Sequence, residues 1–140
     1  MDKNNQLRNV IAQGWTLMFI VFLANITIEI VKSMLNIDAS KWSEHLSAGS
    51  VQLILVLMAI YAVVPMLIHT ISKRWFRYVS LALAVVITLL HVGIHHMAHG
   101  TADPEKASQA ISFPHVLHLS HHILGIWVII VSIMWIRRSD

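Results

Sequence analysis

The chain has 140 residues, of which 56% are hydrophobic and only 12% charged, with a mean hydropathy of +0.67. That length holds one domain, and that composition excludes an ordinary water-soluble globule or a disordered chain. The formal charge of +3 and the pI of about 9.6 come from basic residues beside apolar runs, with no clustered nucleic-acid footprint, and the lack of cysteine excludes disulfides, thiolate zinc sites, iron–sulfur clusters and attached c-type haem.

Four apolar runs are read in chain order at residues 15–35, 51–71, 76–97 and 113–136. Each has about 20 residues or more, and at about 1.5 Å of rise per residue each crosses a hydrocarbon core of about 30 Å. The expectation is an all-α integral membrane protein, a single transmembrane domain over residues 1–140 arranged as a four-helix bundle. The first run is too long for a removable signal peptide, and no small-residue cleavage pattern precedes Lys32, so it is expected to remain as an anchor. It carries Asn25, Glu29 and Lys32 near its end.

Between the first two runs, Asp38, Ser40 and Ser43 are candidate caps for a short interfacial helix bearing Trp42 and His45. Only residues 72–75 join the second run to the third, which predicts a tight antiparallel pair. The longer connection before the fourth run contains Asp103, Pro104 and Glu105, which read as N-cap, N1 proline and first-turn acid of another short helix.

Lys3, Arg8, Lys73, Arg74, Arg77, Arg137 and Arg138 flank the runs on one side; Lys32, Lys41 and Lys106 lie on the other. The excess marks the cytoplasmic side. The expected topology is up-down-up-down with both termini cytoplasmic. In a bacterial inner membrane the opposite face would be periplasmic.

That outer face is where the histidines gather. His91, His95, His96 and His99 end the third run, and His115, His118, His121 and His122 open the fourth. Steps of three and four put His91, His95 and His99 on one helix face, and His115, His118 and His122 on another. Antiparallel neighbours then stack three rungs, His91 with His122, His95 with His118 and His99 with His115, while His96 and His121 project sideways. Glu29, about 9 Å inside the end of the first run, is expected near the His91 layer; it either joins the site or pairs with Lys32. His45 is a candidate from the first outer loop, and Asn25, Gln52, Ser120 and Lys32 are candidate supporting residues. His69, beside Lys73 and Arg74, reads as an interfacial residue. Ionisable groups at membrane depth are costly and commonly functional. Imidazole suits iron, copper, zinc and nickel, and an added carboxylate favours iron, manganese or zinc over cuprous copper, with iron the first choice.

The spacing His91-x-x-x-His95-His96, together with His118-x-x-His121-His122 and His95-x-x-x-His99, resembles the histidine boxes of the membrane fatty-acid desaturase and hydroxylase family. The resemblance covers residues 91–122 and implies a non-haem di-iron centre activating oxygen, with these seven histidines as ligands. Here the boxes share one hairpin and face outward, whereas those of the family face the cytoplasm.

Other readings use the same residues. A haem b electron-transfer subunit would need two axial histidines on different helices, such as His95 and His118. Gly93 and Gly125 would then admit the porphyrin; otherwise they serve close helix packing. A metal-capture or delivery protein without catalysis is a further reading, as is a proton path or pH sensor. In each case the expected partners are the lipid bilayer and a redox partner, larger membrane complex or second copy, with no nucleic acid. Ser120 and His121, adjacent on a helix, point apart and form no nucleophile–base pair.

Overall fold

A computed structural model describes residues 3–35, 48–71, 73–99 and 113–138, apart from residue 72 between them, and gives the backbone alone at 33, 48, 50, 94–99 and 113–115. It contains four helices, α1 (Lys3–Met34), α2 (Ala48–Thr70), α3 (Arg74–His99) and α4 (Phe113–Arg137). All four are long and apolar enough to cross a membrane, and they pack as a bundle. The expected interfacial segments around Trp42 and Asp103 lie outside the described residues.

Each helix buries one stripe at steps of three and four residues. On α1 the stripe is Ile11, Trp15, Met18 and Phe22, and on α2 it is Leu57, Tyr61, Val64 and Ile68. Phe76, Ser80, Ala84, Thr88 and His91 continue it on α3, with His91 half-buried, and His121, Gly125, Val128, Ser132 and Trp135 do so on α4. The opposite faces display exposed Leu55, Met66, Val86, Leu89, Ile123 and Ile126. Such surfaces would be costly in water and suit lipid.

Packing runs from α2 to α1 to α4 to α3, whereas α2 and α3 touch at only a few points. The tight pair expected from the short 72–75 connection therefore does not form. A short connection fixes only the ends it joins, and the buried stripe of α2 is turned toward the aromatic residues of α1. Between apolar helices in lipid there is little hydrophobic drive, so close approach carries association. A Cβ at Gly14 would come within 2.5 Å of Val128 Cγ2 and 2.8 Å of Trp127, and one at Gly125 would run into Thr88. Gly125 thus lets α3 and α4 close on each other. Among the described residues nothing lies within 4 Å of a Cβ built at Gly93.

α1 begins twelve residues before its apolar run. Its 32 residues reach about 48 Å, well beyond a hydrocarbon core, and the polar extension has a structural use. Arg8 donates from Nε to the Ile68 carbonyl at 2.9 Å and from its terminal nitrogen to the His69 carbonyl, satisfying acceptors that the end of α2 leaves open. Asn4 Oδ1 accepts from Trp135 Nε1 at 2.7 Å. Arg77 lies 4.9 Å over the Trp135 ring and donates to its carbonyl at 3.1 Å. All four helices are tied at this end by hydrogen bonds to main-chain or side-chain oxygen.

Candidate functional site

Helices α3 and α4 meet in opposite chain order, Arg77 with Trp135, Thr88 with Gly125 and His91 with His121. Thr88 opposite Gly125 keeps the depth of the expected rungs, but His91 faces His121 where His122 was expected. One residue on a helix is a rotation of about 100°, so His121 is swung into the bundle and His122 to its flank. The imidazoles of His91 and His121 stack with centroids 3.9 Å apart and planes 25° apart. His121, expected at the side, is instead 1% exposed and among the most buried large side chains. His122 and His118 remain half-buried and within electrostatic reach of His121.

Each ring of the pair has one nitrogen engaged. His91 Nδ1 is 3.0 Å from the carbonyl of Ile87, one turn back, and a carbonyl requires the donor there. Its Nε2 therefore carries the lone pair, the arrangement seen in many metal-binding histidines. His121 Nε2 is 2.9 Å from the hydroxyl of Tyr61. Its Nδ1 is buried with no hydrogen-bond partner among the described residues, a state that costs about 1–3 kcal/mol unless something binds there.

Tyr61 is the residue that sequence reasoning missed. It stands on α2, which barely meets α3, yet its fully buried ring reaches across the bundle. Around it lie Trp15 at 5.8 Å, Phe19 at 6.2 Å, Phe22 at 5.4 Å, His91 at 6.4 Å and His121 at 5.9 Å between centroids. The available signal was a lone phenol within an apolar span, since a buried tyrosine hydroxyl usually finds a polar partner.

Phe22, 5.6 Å from the His91 ring, fixes which part of α1 shares this layer. Glu29 is seven residues further on, about 10 Å along the helix, and so lies outward of the His91 layer where it was expected. Depth counted from the end of an apolar run ignores how far one helix slides along another. Glu29 accepts from Lys32 at 3.0 Å, with both side chains about one-third exposed. By rise it is level with the turns bearing His99 and His115, whose side chains lie outside the described residues, as do those of His95 and His96 and all of His45. Among the described residues no three histidine, aspartate or glutamate side chains converge as a metal site. Ser120 donates to the Val116 carbonyl of its own helix at 2.8 Å, and Gln52 is exposed. His69 is exposed at the opposite end.

No protein-family model, curated protein or solved structure matches the chain.

Proposed function

We propose that the chain is an up-down-up-down membrane bundle with both termini cytoplasmic, whose outer half binds a transition metal through histidines of α3 and α4. One observation carries the reading: two stacked imidazoles, each held by one nitrogen, with a fully buried ring nitrogen of His121 left over. Five other buried polar atoms, among them Trp15 Nε1 and Arg77 Nε, also lack a hydrogen-bond partner among the described residues, but of the six only those of His121 and His122 are imidazole nitrogens, the ligand type a transition metal takes. His91 and His121 form the inner edge of the site. Further ligands come from His95, His96, His99, His115, His118 and His122, with Glu29, whose level matches the outer turns, and His45 as an outer contribution.

Iron, as one or two ions, is the first choice: a carboxylate beside imidazole suits iron or zinc over cuprous copper, and of the two iron is the one with redox chemistry. When bound, such an ion supplies redox or oxygen chemistry, which makes the chain a metal-dependent oxidoreductase or the redox subunit of a larger membrane complex. The protein's own part is to hold ligand rings in fixed orientation and to shield them with Phe22, Tyr61 and lipid-facing aliphatic side chains. For haem b, the seating of Thr88 against Gly125 favours the packing role of that glycine, and the metal reading is preferred.

Elemental analysis of protein purified in detergent without added metal, paired with visible spectra before and after dithionite, tests this. Iron near stoichiometric, no Soret band and loss of most of the metal in the His91→Ala/His121→Ala double variant are expected. A reduced b-type spectrum would replace the reading with the haem one, and metal-free protein that also fails to take up added Fe2+ would end it.

A further inference from the structure

The histidines are only half of what is built at this layer. The ring of Tyr61 is enclosed by aromatic residues of α1 and by both stacked imidazoles, and its hydroxyl lies 2.9 Å from His121 Nε2. A tyrosine placed here for packing alone would have been better replaced by phenylalanine, because burying a hydroxyl has a cost that one hydrogen bond offsets only in part. The hydroxyl has a specific consequence for the ring it meets.

A neutral imidazole carries one N–H, on either nitrogen. With the proton on Nδ1, His121 would hold a buried donor facing no acceptor, since Nδ1 has no hydrogen-bond partner among the described residues. With the proton on Nε2, the ring donates to Tyr61 Oη, the phenol proton can no longer point at Nε2, and Nδ1 carries a lone pair, so each tautomer displaces one donor and a metal at Nδ1 selects this one. The second tautomer is a ligand; the first is not. Metal-binding histidines commonly have their other ring nitrogen held by an oxygen acceptor, and removing such a partner weakens binding by about 10–100-fold. His91 has its acceptor in the Ile87 carbonyl, and His121 has Tyr61.

Resting on the metal reading above, we propose that Tyr61 is a positioning residue of the site: its hydroxyl oxygen accepts from His121 Nε2, fixing ring orientation and tautomer so that Nδ1 binds the metal. Through this contact α2, which hardly touches α3, becomes part of the centre. The metal-bound state would thereby tie α2 to α4 across the bundle.

The test is a Co2+ titration of metal-stripped, detergent-purified full-length protein followed by its visible absorption bands, comparing the unaltered chain with Tyr61→Phe. The substitution keeps the ring and removes one oxygen atom. A Kd raised by about 10–100-fold, a shifted cobalt band and an unchanged melting temperature of the metal-free protein are expected. If Tyr61→Phe binds Co2+ as the unaltered chain does, with the same band, the positioning role is wrong and the metal site stands. If affinity falls only alongside an equal fall in the metal-free melting temperature, with the band unmoved, Tyr61 is a packing residue and the proposal is overturned. If the unaltered chain shows no saturable Co2+ binding that His91→Ala/His121→Ala abolishes, the metal reading fails and takes this proposal with it.

Discussion

The two ends of the bundle handle the same problem differently. At the end where Arg8, Arg77, Asn4 and Trp135 meet, the interhelical contacts are made by N–H donors to carbonyl or amide oxygen, and the group left over, Arg77 Nε, is itself an N–H donor. Those oxygens include the last carbonyls of α2 and α4, which no helix can satisfy from within. At the level of His91, His121 and Tyr61 the polar groups also find one another, but a ring nitrogen at 1% exposure is left over. Guanidinium and indole N–H groups have no lone pair to offer a metal, whereas a neutral imidazole has one. In the proposed reading that lone pair is where the metal binds.

Several variants would break or sharpen that contrast. The largest effect is expected from the double His91→Ala/His121→Ala change described above, which should remove most of the metal while the bundle still folds in detergent. Arg77→Met should do the opposite. It forfeits a charge-assisted hydrogen bond and the stacking on Trp135, so unfolding free energy should fall by about 2 kcal/mol, with metal content per folded molecule unchanged; equal metal loss would show that the ends are coupled. Gly125→Ala forces a Cβ into the stiff, β-branched Thr88 and should cost about 1–3 kcal/mol, read as a lower melting temperature. A Gly93→Ala control, with nothing within 4 Å of the new methyl among the described residues, should leave that temperature within a degree or two. Smallest is Glu29→Gln. Its bond to Lys32 is partly exposed and contributes at most about 1 kcal/mol, so stability should hardly move, and a fall in iron content would assign the carboxylate to the outer part of the site.

Much of this protein was readable as a string. Residues 51–71 and 113–136 match α2 and α4 to within three residues, because an unbroken apolar run of that length has no other way to satisfy its backbone in lipid. The same reasoning placed histidines of the third and fourth runs at one end and offered the Glu29–Lys32 pair as one of two readings for that carboxylate, since residues three apart on a helix are neighbours. Where α1 begins was less legible. Its polar first turns show no apolar signal, and they are helical because Asn4 and Arg8 find partners on α4 and α2.

What the sequence by itself determined is therefore the set of helices, their solvent and the concentration of imidazoles near one face, all of which follow from composition and helical period. Only the tertiary structure decided that α2 packs on α1 instead of α3, that His121 and not His122 faces His91, and that Tyr61 belongs with them. The physical reason is that neighbouring residues on a helix differ in depth by only about 1.5 Å but point about 100° apart. Depth survives an approximate register, whereas facing does not. Which residues touch was settled by small contacts such as Thr88 in the space left by Gly125, whose partners lie 37 residues apart in the chain.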